Sequence, residues 1–299
     1  MSGFVIAGNE FQKRELAPGL YVVSTPIGNL GDITIRALET LSSVDLVACE
    51  DTRVTAKLLQ RYGMDTRMMS YHEHNSDKAG AKILQKLQAG ARIALVSDAG
   101  TPLVSDPGFR LVRDSRVLGV NVVAIPGASS PLAALAASGL PAESFLFAGF
   151  LPTRDTARRN RLASLSRIPA TLVFFESPNR LGSSLAAMVA ELGPERQIAV
   201  CRELTKMHEE IVGGTAAELA ARYGDAPVKG EIVIVVAPPA DNGAAVDPGS
   251  LLQELLASMS VSRAAAEAAK LTGIAKRDLY QQALDLSQGM KGQAGHDDR

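Results

Sequence analysis

The chain has 299 residues, 46% of them apolar, with 31 basic and 32 acidic side chains and a formal charge of −1. That is enough apolar sequence for two domains. The charge balance supplies no global positive field that would steer the chain onto nucleic acid, so any such contact rests on local patches. Two distant cysteines, Cys49 and Cys201, make no disulfide framework, and no segment has the length of a membrane-spanning helix; a cytoplasmic protein with no membrane partner is expected.

Residues 1–17 lack a basic start and have a short apolar part, and they read as a flexible leader. An N-terminal α/β domain is expected over 18–126. A strand at 20–24 feeds a helix for which Asp32 stands as N-cap. A strand follows at 46–49, then a helix at 54–62 capped by Thr52, with Gly63 just past its end. Next come a helix at 79–88, a strand at 93–96, a helix at 108–118 opened by Asp106-Pro107, and a strand at 122–125. This alternation predicts a mostly parallel sheet.

A C-terminal α/β domain is expected over 127–239, with strands at 144–148, 171–175, 198–201 and 231–236. Ser177-Pro178 opens a helix at 179–191. Periodicity leaves open whether some of these strands pair antiparallel. The Pro-Pro-Ala-Asp-Asn-Gly run at 238–243 shifts the composition, and 240–248 reads as a linker. Three short helices are expected in 249–288. Residues 262–286 read as helix, glycine turn, helix, either a helix-turn-helix or a small docking appendage. Residues 289–299 are expected to be disordered.

Three glycine-proline turns stand directly behind apolar runs: Ser-Thr-Pro-Ile-Gly-Asn-Leu-Gly-Asp at 24–32, Ser-Asp-Ala-Gly-Thr-Pro at 97–102 and Pro-Gly-Ala-Ser-Ser-Pro at 126–131. Loops at the carboxyl ends of parallel strands form the ligand crevice of open α/β sheets. The dinucleotide fingerprint, the Walker lysine loop and the nucleophile elbow are all missing.

These turns stand in order with Glu-Asp-Thr-Arg at 50–53, Ser-Asp-Pro-Gly at 105–108, Phe-Phe-Glu-Ser-Pro-Asn-Arg at 174–180, Arg-Glu-Leu-Thr-Lys at 202–206 and Lys-Gly-Glu at 229–231. Over residues 20–240 the set resembles the tetrapyrrole methylase superfamily, in its ribosomal RNA-methylating branch. The resemblance implies two α/β domains of tetrapyrrole methylase type, S-adenosyl-L-methionine in the cleft between them, and a homodimer. It also implies 2′-O-methylation of a decoding-centre cytidine in 16S ribosomal RNA, presented in the assembled small subunit. The wider superfamily's glycine-proline-glycine and Gly-Asp-Pro loops are replaced here by Thr25-Pro26-Ile27-Gly28 and Ser97-Asp98-Ala99-Gly100, which counts against a porphyrin-type substrate.

The resemblance places Thr25, Pro26, Asp98, Gly100, Thr101, Ser129 and Ser130 at the cofactor. Asp98 could accept from its ribose or amino group, or merely shape an Asx turn; the two serines could equally cap a helix. Glu176, Arg202, Lys206 and Lys229, beside Arg180, Glu203 and Glu231, are the candidates for a base or an electrostatic partner. A lysine desolvated beside arginine would have a lowered pKa, whereas a structural ion-pair network is the plainer alternative. Arg53, which has no capping role, His72, and the group Arg154, Arg158, Arg159, Arg161 and Arg167, opposed only by Asp155, are the candidates for RNA contact. His72 and His74 have ligand spacing but lack further ligands at a matching spacing, so no metal is expected. Two rivals stand: a methylase acting on a tetrapyrrole or a protein side chain, and a nucleic-acid-binding regulator using the C-terminal helices.

Overall fold

The computed structural model describes residues 3–224, 228–239, 248–272 and 274–293. Two units result, one reaching Pro239 and the other starting at Ala240.

The first unit opens with a hairpin, β1 (Phe4–Ile6) and β2 (Asn9–Phe11). Phe4 is 1% exposed, its ring stacks on Phe11 at 5.0 Å, and the Val5 N–H donates to the Tyr62 carbonyl. The expected flexible leader is thus corrected over its described part, because a single buried phenylalanine ties it to the core. There follow β3 (Gly19–Val23), α1 (Ile35–Ser43), β4 (Leu46–Cys49), α2 (Thr52–Arg61), β5 (Met68–Ser70), α3 (Ser76–Gln88), β6 (Arg92–Val96), α4 (Phe109–Val117) and β7 (Val122–Ile125). The sheet order is β5-β4-β6-β3-β7, every pair parallel. The central run Ile93–Val96 is buried on both faces, as a covered parallel strand requires.

Four helix starts differ from the sequence reading, one of them in the second half, where Ser177-Pro178 opens a 3-10 turn over Pro178–Arg180 and the helix begins only at Leu181. Asp32 closes a short 3-10 turn, and the cap of α1 is Thr34, whose hydroxyl accepts from the Ala37 N–H at 3.1 Å. Asp51, not Thr52, caps α2. Gly108, with φ +134°, precedes α4, so Asp106 is left free to face elsewhere. Gly63 does hold φ +67°, the left-handed conformation that suits a helix end.

The chain continues through α5 (Ser130–Ala137), β8 (Phe145–Phe150), α6 (Asp155–Leu165), β9 (Thr171–Glu176), α7 (Leu181–Leu192), β10 (Gln197–Arg202), β11 (Glu210–Thr215), α8 (Ala216–Tyr223) and β12 (Ile232–Val236). This sheet runs β11-β10-β12-β9-β8. Only β8 and β9 are parallel; the other pairs are antiparallel. Its centre is β12, Ile-Val-Ile-Val-Val, buried along its whole length. On one face of this sheet Ala134 and Leu135 of α5 pack on Val173, Ala199, Cys201, Val233 and Val235, and Ile27 from the first turn joins them. The two α/β halves therefore share a core where the turns of one meet the sheet of the other.

The second unit comprises α9 (Pro248–Leu256), α10 (Val261–Thr272) and α11 (Lys276–Gln293) around fully buried Leu252, Ala264, Ala265, Ala268, Leu279 and Ala283. Helix α11 runs five residues beyond the expected end of the appendage. The linker, apart from Pro248, and residues 294–299 of the expected tail lie outside the described residues. No helix among the described residues is long and apolar enough to cross a membrane.

Candidate active site

The three glycine-proline turns are laced together. Thr25 and Gly100 exchange backbone hydrogen bonds at 2.9 and 3.0 Å, and Gly100 takes φ +79° to do so. The Thr25 hydroxyl donates to the Ser97 carbonyl at 3.2 Å. Ser24 Oγ lies 2.9 Å from Thr101 Oγ1, which also reaches the Ala128 carbonyl at 3.4 Å. A Cβ at Gly127 would fall 2.9 Å from that of Ser24, so only glycine lets the third turn approach the first.

Between these turns and the second sheet lies a cleft of about 390 Å³, within the size range of small-molecule sites. One wall is Ile27, Ala99, Gly100, Thr101, Ser129 and Ser130; Val104, Ser105 and Asp106 extend it. The facing wall is Phe150, Phe175, Glu176, Ser177, Gly230 and Glu231, floored by Leu204, Ile232 and Val233. Four residues near it hold positive φ without being glycine: Leu103 (76°) and Ser105 (64°) on one side, Glu203 (52°) and Thr205 (66°) on the other. Such conformations cost on the order of 1–3 kcal/mol each and concentrate where ligands are clamped.

Glu176 ends β9 with its side chain fully buried. It accepts from the Ser177 N–H (2.8 Å) and the Ser184 hydroxyl (2.5 Å), and Arg180 Nε stands 3.2 Å from Oε1. Lys206 Nζ bridges Glu203 Oε1 (2.8 Å) and Glu231 Oε2 (3.0 Å). Burial alone would lower this lysine, but the two carboxylates outweigh it and raise its pKa above the ordinary value. The same bridge, with the Glu231 N–H, lowers Glu203. Burial raises Asp106, aided by Asp98 and opposed by a hydrogen bond from Ser97. Burial likewise raises Glu50, with Asp98 and Asp106 adding to it.

Of the sequence-predicted cofactor residues, Gly100, Thr101, Ser129 and Ser130 line the cleft. Thr25 and Pro26 are buried behind it and act as its frame. Asp98 is exposed, outside the lining, and accepts from the Asp51 N–H at 3.0 Å. Glu176 lines the facing wall. Arg202 is committed to Glu210 at 3.1 Å, and Lys229 is exposed. The lowered lysine pKa is corrected: Lys206 is held by carboxylates rather than crowded by arginine.

Arg53 has a structural partner after all. Its guanidinium grips Asp51 at 2.6 Å and, with its own N–H, holds that carboxyl at about 2. Arg158 is corrected as an RNA contact: it is 5% exposed and bound to Asp155 and the Thr153 carbonyl. Arg159 pairs with Glu191 at 2.7 Å, while Arg154 and Arg161 are exposed. His72 is half-buried with its ring 6.0 Å from that of His74, and no group of three metal-ligating side chains assembles among the described residues. Burial pushes the Cys201 thiol up to about 12, and that of Cys49 upward too, so both are inert core residues. The apolar lining includes Ile27 and Leu204, which stand within quoted motifs, and Val104 and Phe150, which no motif revealed.

Two α/β halves clasping one cleft, with strand-end turns on one wall and charged strand ends on the other, define a cofactor-dependent transferase architecture. Residues 19–220 match the Tetrapyrrole (Corrin/Porphyrin) Methylases, and the chain belongs to that family; residues 242–287 match the RsmI C-terminal HTH domain. The chain is 55% identical to "Ribosomal RNA small subunit methyltransferase I" of Mesorhizobium japonicum, covering 94% of this chain and 97% of that one. It is 52% identical to the protein of the same name from Erythrobacter litoralis, covering 93% and 99%. Among solved structures, uroporphyrin-III C-methyltransferase from Thermus thermophilus complexed with S-adenyl homocysteine shares the fold, at TM-score 0.52 and 22% identity over 73% of this chain and 97% of that one. The chain is accordingly a methyltransferase with S-adenosylmethionine as its cofactor.

Proposed function

We propose that this enzyme methylates the ribose 2′-oxygen of a decoding-centre cytidine in 16S ribosomal RNA, acting in the cytoplasm as a homodimer on the assembled small subunit. The observation that carries the reading is the two-walled cleft, in a chain whose relatives at 52–55% identity are named for the small-subunit RNA.

The turn wall fits the cofactor. Gly100 places no side chain in the cleft, Thr101, Ser129 and Ser130 offer polar groups, and Ile27 and Val104 offer apolar contact. When bound, S-adenosylmethionine supplies an electrophilic methyl on a sulfonium. The chain's part is to align the acceptor behind it, and positioning can supply much of the acceleration. A ribose hydroxyl gains nucleophilicity when a nearby group takes its proton. The facing wall carries two carboxylates, Glu176 and Glu231. Those of Glu176 are engaged by Ser177, Arg180 and Ser184, which leaves Glu231, held by Lys206, to receive the proton.

Arg154, Arg161 and Arg167 offer exposed guanidinium groups for phosphate. Phe109 (68% exposed) and Val117 (80%) on α4 and Leu132 (52%) on α5 offer apolar surface for a second copy. The alternative of a DNA-binding regulator draws support only from the C-terminal helices. The test is methyl transfer from isotope-labelled S-adenosylmethionine to small subunits lacking the modification, followed by nucleoside digestion and mass spectrometry. Labelled 2′-O-methylcytidine is expected; cofactor binding without labelled RNA would move the substrate to tetrapyrroles or proteins.

A further inference from the structure

Phe150 is 58% exposed and yet lines the cleft, on the wall facing the cofactor turns. It ends β8, the edge strand of the second sheet. In a regular strand, residues three apart point to opposite faces. Here a β-bulge between Phe147 and Gly149, with φ +68° at Gly149, breaks the alternation. Both Phe147 and Phe150 consequently meet Phe175, edge-to-face, with centroids 4.9 and 5.3 Å away.

The three rings form a chain from the core to the mouth. Its outer end is fixed from behind, since Leu151 is 2% exposed and its carbonyl accepts from Arg180 at 2.5 Å. An aromatic ring braced on one side by Phe175, on a strand end anchored at Leu151, with its outer surface left bare inside a ligand cleft, is built for a flat partner. Ribose methylation requires the target nucleotide to be splayed out, and splayed bases stack on aromatic side chains.

We propose that Phe150, backed by Phe175, is the stacking platform for the base of the nucleotide being methylated, which makes it a positioning residue for the acceptor ribose. This rests on the proposed function. The test uses the full chain with Phe150→Ala and Phe150→Trp, small subunits lacking the modification, and S-adenosylhomocysteine as the calorimetric probe of the cofactor wall. Phe150→Ala is expected to lower kcat/KM by roughly 5- to 150-fold, mainly through KM, the loss expected when a base is deprived of its aromatic partner. Phe150→Trp is expected to restore most of it, and S-adenosylhomocysteine affinity to stay at the wild-type value.

An equal loss of S-adenosylhomocysteine affinity in Phe150→Ala would overturn the assignment by giving the ring to the cofactor. Unchanged kcat/KM, with dissociation of a dimer in sedimentation, would overturn it by giving the ring to a second copy. Wild-type enzyme that labels no RNA would remove the proposed function and this assignment together, whereas labelled RNA with an indifferent Phe150→Ala removes this assignment alone.

Discussion

Thr25 and Gly100, 75 positions apart, exchange both backbone hydrogen bonds and so lock the first turn to the second. The lock needs φ +79° at Gly100, where an added Cβ would also meet Ile27 Cγ2 at 3.4 Å. Gly100→Ala is therefore expected to destabilise the protein by about 1–2 kcal/mol, the cost of the left-handed conformation for a side-chain-bearing residue. The shifted turn is expected to weaken S-adenosylhomocysteine binding as well. Urea denaturation and titration calorimetry check the two effects; wild-type affinity in Gly100→Ala would count against the turn wall as the cofactor's seat.

Glu176 is worth more to the fold than to the chemistry. Its buried carboxylate is the partner of Arg180, Ser184 and the Ser177 N–H. Glu176→Ala would leave the Ser184 hydroxyl and the Ser177 N–H without this acceptor and the Arg180 cation with only the Leu151 and Pro152 carbonyls, at a cost of about 3 kcal/mol. Glu176→Gln, which keeps the shape and an acceptor, is expected to cost less than half of that. Chemical denaturation of the two variants provides the comparison. Equal stability of Glu176→Ala and the wild type would show the ion pair to be idle.

How much of this was legible depended on whether the signal was local. The runs that became β6, β9 and β12 announce themselves as apolar stretches ended by turns. The short Met-Met-Ser of β5, and Glu-Ile-Val-Gly-Gly-Thr of β11 with its two glycines, did not. The three turns marked one wall of the cleft because Gly and Pro punctuate the chain. Nothing local shows that Glu231 would meet Lys206 from 25 positions away. The Arg53–Asp51 pair is local, but reading Thr52 as the cap hides it. The position of Phe150 depends on a bulge, which carries no sequence mark of its own beyond Gly149.

Lys206 gives the pH prediction. Its raised pKa means that its contribution is fully present below the ordinary lysine value and is lost as pH rises through the higher folded one. Glu203, being lowered, contributes above the ordinary carboxylate value and loses this as pH falls. The bridge is therefore intact from about pH 5 to about pH 10. The stability difference between wild type and Lys206→Met is expected to be flat across that window and to shrink at both ends. Activity is expected to show no rise through pH 8–9 that Lys206→Met abolishes. Such a rise would restore the lysine as the base.

The C-terminal helices are expected to serve the substrate and not the cofactor. Every residue lining the cleft lies in the first unit. The second unit has its own core, in which Ala264 is fully buried beside Leu252 and Leu279. An aspartate there would be an unpaired buried charge, which a six-residue core cannot absorb. In the full chain, Ala264→Asp should unfold the helical unit while leaving S-adenosylhomocysteine affinity unchanged, and should raise KM for the small subunit. Circular dichroism, calorimetry and the labelled methyl-transfer assay report the three separately. If KM stays at the wild-type value after the helices have melted, the appendage has no part in holding the RNA, and the exposed arginines of the C-terminal α/β domain must carry that contact without it.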